Sequence, residues 1–290
     1  MRNFMEKSTV YFTDFRCKVG TSQLDKLKKL CIAAGIKNID MDGKFVAIKM
    51  HFGELGNLAF LRPNYAKVVA DLCKELGGMP FLTDCNTLYP GSRKNALEHM
   101  DCANLNGFNT ITTGCQIIIG DGLRGTDDVE VPVENAEYCP TARIGRAVMD
   151  ADVFISLTHF KGHEATGFGG AIKNISIGIA SSGGKAWIHS AGTTKDVSKV
   201  WGNLPEQDNF LESMAEAAKA VTDHCGDKIL YISVANNLSV DCDCDSSPED
   251  PRMGDIGILA SLDPVALDRA CTDLVRSSED HGKIHLIERI

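Results

Sequence analysis

Between His159 and Asn174 the chain reads HFKGHEATGFGGAIKN, with two histidines, two lysines, a glutamate and four glycines in sixteen residues. Imidazole changes charge near neutral pH, so His163 suits general acid and base work, and His51, which follows the run VAIKM, suits it as well. His159 and His163 stand four apart around a strand end, a span of roughly 13 Å if extended, so the loop must bend for them to share a metal. Lys173 has apolar neighbours, Ala171, Ile172 and Ile175. An enclosed lysine there can hold an anion, or act as a nucleophile if burial lowers its pKa. The turn Gly167–Gly170 can leave backbone N–H groups free to cradle an anion, or can serve a tight turn with close packing. A second cluster, DCDCD at 241–245, alternates thiols with carboxylates. On an extended segment Cys242 and Cys244 point the same way and could share a soft metal or a redox role. Two cysteines do not complete a zinc or iron–sulfur site, and no CxxC spacing occurs in the chain.

Regular elements must position these groups. Strand patterns at 10–15, 44–53, 79–86, 115–123, 152–160, 228–235 and 256–261 alternate with helix patterns at 22–35, 62–78, 92–107, 139–151, 208–225 and 264–277. This alternation predicts an α/β fold with a largely parallel sheet flanked by helices, and a cleft at the carboxyl ends of the strands. The runs VAIKM and DVFISL are apolar on both faces, as burial between helices requires. His51, Asp84, Asn86, Asp121, His159, Lys161, His163 and Asn236 all fall just beyond strand ends, which makes Asp84 and Asn86 candidate ligand-binding residues. A division near residue 150 predicts two lobes, 1–150 and 151–290, with a single domain as the alternative. The stretches 181–207 and 241–255 carry the least pattern and read as surface loops or lids.

Composition narrows the class. The chain has 290 residues, 43% apolar and 24% charged, which is globular rather than disordered. Its net charge of −9 argues against nucleic acid or an anionic membrane as partner, but a local positive pocket could still take a small anion. MRNFMEKSTVYF lacks the apolar core of a secretory signal, and no apolar run reaches membrane-spanning length. Eleven cysteines, an odd number, then read as thiols in a reducing cytoplasm. Cys31, Cys73 and Cys271 fall on apolar helix faces and read as packing residues.

Six segments taken in order resemble the DUF362 family: VAIKMHFGELGN, FLTDCNTLYPGSRKNA, IIIGDGLRG, LTHFKGHEATGFGGAIKNISIG, SVDCDC and DIGILASLDPVALD. The resemblance covers nearly the whole chain. Many members carry a two-cluster ferredoxin insert after the segment matching IASSGGKAWIHS. This chain runs almost directly into GNLPEQDNFLESMAEAAKAV, so no intrinsic 4Fe–4S clusters are expected. A more distant likeness is to lactate racemases that use a nickel-pincer nucleotide. Their acid/base histidine, GG turn, cofactor-binding lysine and nickel-ligating histidine are matched in order by His163, Gly169–Gly170, Lys173 and His189, with His51 in the place of the second acid/base histidine. Ile172 stands where the racemases carry an arginine.

The resulting expectation is an enzyme, of racemase or epimerase type or an oxidoreductase, acting on a small anionic substrate. His51, His163 and Lys173 would be catalytic. Gly167, Gly169, Gly170, Lys173, Asp84 and Asn86 would bind the cofactor or substrate, and His189, His159, Cys242 and Cys244 would ligate metal. The cofactor would be a divalent nickel, iron or zinc ion, or a nickel-pincer nucleotide. The alternative is a non-catalytic redox or iron–sulfur-associated partner protein. A homodimer or a redox protein partner is compatible with either.

Overall fold

A computed structural model describes residues 7–290. In chain order the elements are β1 (Tyr11–Thr13), α1 (Gln23–Ala33), β2 (Phe45–Lys49), α2 (Pro63–Glu75), β3 (Met79–Asp84), α3 (Ala96–Leu105), α4 (Thr110–Thr113) and β4 (Gln116–Ile119). There follow β5 (Asp128–Pro132), β6 (Thr141–Gly145), α5 (Arg146–Met149), β7 (Val153–His159), β8 (Lys161–His163), β9 (Gly167–Gly169), α6 (Ala171–Ile175) and α7 (Ser182–His189). The chain closes with α8 (Gln207–Cys225), β10 (Ile229–Ala235), β11 (Gly257–Ser261), α9 (Pro264–Ser277) and α10 (Lys283–Ile287).

Seven strands form one sheet in the order β1-β11-β10-β7-β2-β3-β4. The run from β10 to β4 is parallel, whereas β11 pairs antiparallel with both β10 and β1. All seven residues of β7 and all seven of β10 are buried, as their two-sided apolar pattern requires. Side chains alternate between two cores. Val46, Ile48, Ile155 and Leu157 pack with α1 and α2 on one face. Ala47, Phe154 and Tyr231 pack with α8 and α9 on the other.

The division near residue 150 does not separate two sheets. β7 lies between β2 and β10, so strands from both halves of the chain form one hydrogen-bonded ladder. β2 connects outward to β3 and β4, while β7 leads the opposite way to β10. The order therefore reverses between β2 and β7, the kind of switch point beside which ligands bind in open α/β sheets.

Local signals placed most elements. Ser22 and Asp25 form a capping box at the start of α1, Pro63 opens α2, and the Asp263 side chain caps α9. Two segments differ from expectation. The helix expected over 139–151 is the strand β6 followed by the short α5, because Thr141–Gly145 finds a partner in β5 and pairing overrides local propensity. The stretch 181–207 is not a bare loop. It contains α7, whose Gly184 passes so close to Arg143 that a Cβ there would sit 2.4 Å from the Arg143 carbonyl oxygen. Its glycines serve close packing, which hid the helix from a periodicity reading. The stretch 241–255 does lack regular structure, but Cys242 and Asp243 within it are buried.

Candidate functional site

At the switch point, β2 ends in Lys49, which is 1% exposed. Lys49 continues the face of Ala47, so its amine turns toward α6. It donates to Asn174 Oδ1 at 2.8 Å and pairs with Asp84 Oδ1 at 3.1 Å. Burial lowers the Lys49 pKa, against the pull of Asp84. Burial would raise Asp84, but Lys49, His99 and His51 overrule it and hold that carboxyl well below its usual range. Asp84 Oδ2 is buried with no hydrogen-bond partner among the described residues. Beside it, Arg93 donates to Glu54 Oε2 at 3.0 Å and to the Tyr89 hydroxyl at 3.0 Å.

On the β7 side, Asp243 meets a histidine and a lysine. It accepts from His159 Nδ1 at 2.7 Å and from Lys161 Nζ at 3.0 Å. His159 Nε2 meets the Asn236 carbonyl at 2.6 Å. Both ring nitrogens of His159, expected as a metal ligand, thus lie within hydrogen-bond distance of protein oxygens, Asp243 on one side and the Asn236 carbonyl on the other. Asp243 lies within a turn closed by Asp245 N–H to the Cys242 carbonyl at 3.0 Å, and Asn57 ties the same turn at 3.0 Å through the Asp245 carbonyl. Cys242 and Cys244 therefore flank a pinned residue in a turn rather than lying on an extended segment.

One cavity of about 120 Å³ joins these groups to His51, His163, Gly169, Gly170, Lys173, Lys185, His189, Cys242 and Cys244. It is an order of magnitude larger than the space one water needs. Segments far apart in sequence thus bring His51, His163, Lys173 and His189 to a common space. Lys173 Nζ lies 3.5 Å from Cys242 Sγ. Among the described residues, Lys185 Nζ makes one hydrogen bond, to the Ala180 carbonyl at 2.5 Å. Neither amine has a carboxylate within ion-pair distance among the described residues, which leaves both able to face a ligand.

The histidines divide into two kinds. His51 Nδ1 accepts from Gly53 N–H at 2.9 Å, and His163 Nδ1 accepts from the N–H groups of Ala165 and Thr166 at 3.1 and 3.2 Å. Each neutral ring then carries its proton on Nε2. Burial is the main cause lowering both pKa values, with Arg93 next for His51 and Lys173 next for His163. His189 is the reverse. Its Nδ1 meets the Lys185 carbonyl at 2.7 Å and so carries the proton, while Nε2 has no protein partner among the described residues. Burial pulls its pKa down to about 4. A neutral ring anchored through Nδ1–H with Nε2 open is the form a metal takes. Donor atoms of His163, Cys242 and Cys244 also lie within 4.8 Å of one another.

Two expected ligand-binding residues stand outside the cavity. Asn86 is buried against Asp121, donating at 2.8 Å, and against the Gly122 carbonyl at 2.9 Å. Gly167 belongs to the β8–β9 hairpin and backs onto the Arg289 carbonyl. The anion expected at the glycine turn is already supplied by the protein. Asp268 accepts from Ala171 N–H at 2.7 Å and from Ile172 N–H at 3.0 Å, and a Cβ on Gly170 would collide with its carboxylate. Gly169 and Gly170 do line the cavity, but the N–H groups that follow them are taken. Sequence reasoning passed over Lys49, Arg93, Lys185, Asp243 and Asp268. The signal for Lys49 was a lysine at an inward position of an otherwise apolar strand. Lys185 lay in the stretch with least pattern, and Asp268 on a helix that looked ordinary.

The family model for a domain of unknown function, DUF362, matches residues 46–273, more than half of the chain. The chain belongs to the DUF362 family. The matched span takes in every cavity residue named above. This DUF362 chain is 28% identical over 226 residues to a thylakoid-associated protein of Synechocystis, covering 76% of the chain and 59% of that relative's length. A solved protein structure from Thermotoga maritima matches 88% of the chain and 58% of its own, at 14% identity and a TM-score of 0.52, and shares the fold. The lactate racemase apoprotein of Thermoanaerobacterium thermosaccharolyticum matches 76% of the chain and 46% of its own, at 16% identity and a TM-score of 0.43. Among the described residues, no helix of the DUF362 chain is long and apolar enough to cross a membrane.

Proposed function

We propose that this protein is a cofactor-dependent enzyme that binds a small anionic substrate and rearranges it by proton or hydride transfer, in the manner of a racemase or epimerase. The observation that carries the reading is the convergence of His51, His163, Lys173 and His189 on one cavity that also holds the amine of Lys185, neither lysine having a carboxylate in ion-pair distance among the described residues. Lys185 holds the substrate's anionic group, and Lys173 either shares that role or holds the cofactor. His189 fits a metal or nickel-pincer centre because Nδ1 is anchored and Nε2 is open. When bound, that centre supplies the electrophile for the transfer. His51 and His163 act from Nε2–H. Each polarises a substrate oxygen as a neutral donor, and takes a second proton only if its Nδ1 gives up the backbone N–H it now accepts. The partly enclosed cavity limits the water that would compete for these bonds.

Metal content of the purified full chain, measured after growth with nickel, iron or zinc, tests the reading alongside calorimetric titration with small hydroxycarboxylates. Stoichiometric metal lost in His189→Ala, and carboxylate binding lost in Lys185→Ala, are expected. Wild-type protein that holds no metal under any loading and binds no small anion would overturn it.

A further inference from the structure

We propose that Cys242 and Cys244 form a redox dithiol in the same cavity, with Cys242 attacking a small hydroperoxide and Cys244 resolving the product to an intramolecular disulfide. This goes beyond the cofactor reading and does not depend on it, because the thiols are local to the 242–245 turn.

Geometry makes the case. Asp243 is fixed by His159 and Lys161, so the sulfurs on either side of it are presented together. The two sulfurs and a nitrogen of His163 lie within 4.8 Å of one another, close enough for bond rotation to bring sulfur to sulfur. Lys173 Nζ sits 3.5 Å from Cys242 Sγ. The amine beside Cys242 favours that sulfur as the nucleophile and leaves Cys244 as the resolving partner. Cys31 and Cys73 show the contrast: burial is the chief cause pushing both up to about 12, as for inert core thiols.

A metal cage suits these donors poorly. His163 Nδ1 is occupied by two N–H groups, so Nε2 bears the proton, and the Lys173 ammonium competes with any cation for Cys242.

The steps balance. The Cys242 thiolate attacks the terminal oxygen of ROOH. The O–O bond breaks, an S–O bond forms, and the leaving alkoxide takes a proton delivered from solvent past Lys173, giving a sulfenic acid and ROH. The Cys244 sulfur then attacks Cys242 Sγ. The S–O bond breaks, Cys244 loses its proton, hydroxide leaves as water, and the disulfide forms. The dithiol has lost two electrons and the peroxide has gained them, and an external dithiol reductant reverses the change.

The test uses the reduced full chain, hydrogen peroxide as probe and peptide mass analysis as readout. The exposed Cys17 serves as an internal control. One equivalent of peroxide should remove the two thiols of the 242–244 peptide before Cys17 reacts, and dithiothreitol should restore them. Cys244→Ser should leave a sulfenic acid at Cys242 that dimedone traps. Lys173→Ala should slow the reaction about tenfold, and Lys173→Arg should keep most of the rate. Iodoacetamide labelling of the unmodified chain needs no variant and should mark Cys242 ahead of Cys17. Oxidation of Cys17 as fast as Cys242 would overturn the proposal. So would a stoichiometric metal ion retained by the wild type and lost in both Cys242→Ser and Cys244→Ser.

Discussion

His159 Nδ1 lies 2.7 Å from Asp243 Oδ1, and this buried contact ties the end of β7 to the turn that carries both cavity cysteines. Asp243 also binds Lys161, so the carboxylate is the pin on which three segments meet. Removing one partner of such a buried network leaves the others uncompensated. Asp243→Ala should therefore lower the unfolding free energy by about 3–5 kcal/mol. Urea unfolding checks it. A loss no larger than that of an exposed substitution would show that the pin is dispensable.

Lys49 and Asp84 form a second buried pair at the cavity floor. Lys49→Met strands the Asp84 charge and should destabilise by roughly 3 kcal/mol or more. Adding Asp84→Asn should recover part of the loss, because the stranded charge is gone. A double variant as unstable as the two single losses combined would deny the coupling.

His189 gives a pH signature. Its pKa is about 4 in the fold, mainly through burial, against about 6.5 in an unfolded chain. The fold prefers the neutral ring, so this contribution is complete above about pH 6.5 and is lost as pH falls toward 4. His189→Phe, which keeps a ring against Phe210, has no proton to gain there. The variant should gain on the wild type across that window, by up to about 3 kcal/mol. Denaturant titrations at the two ends of the window measure it. Parallel curves would mean that the ring is not held neutral by the fold.

Metal should act through the same residue. If Nε2 of His189 is the open ligand, nickel added to the full chain should raise the melting temperature of the wild type and leave His189→Ala unmoved. A chelator should reverse the rise. An equal shift in both proteins would place the ion elsewhere.

Asp268 positions Lys173 by capping the first N–H groups of α6. Asp268→Ala removes both acceptors and should cost about 1–3 kcal/mol. Anion affinity should also weaken, because the helix start carries the amine. Calorimetry with a small carboxylate separates the two effects, since Asp268→Asn retains one acceptor and should fall between.

The architecture was legible because strand and helix periods are local. The two-sided apolar runs VAIKM and DVFISL read as buried strands, and Pro63 marks a helix start. β6 and α7 were not legible. One depends on a partner strand and the other on glycines whose worth is a close approach. In the site, His51, His163, Lys173 and His189 could be named from strand ends and from the order of a resembling motif. The roles of their nitrogens could not, because a tautomer is set by the backbone groups that face the ring. His159 shows the same gap: nothing near it in sequence foretells Asp243, which lies 84 residues away. Gly167 and Asn86 failed for a related reason, since tertiary partners had already claimed what they could offer.

The central ladder has a consequence for anyone dividing this protein. With β7 inserted between β2 and β10, a cut after residue 150 would bare the flank of β2 on one fragment and of β7 on the other. Unshielded backbone on so apolar a ribbon invites self-association, so neither fragment should behave as a soluble unit by itself.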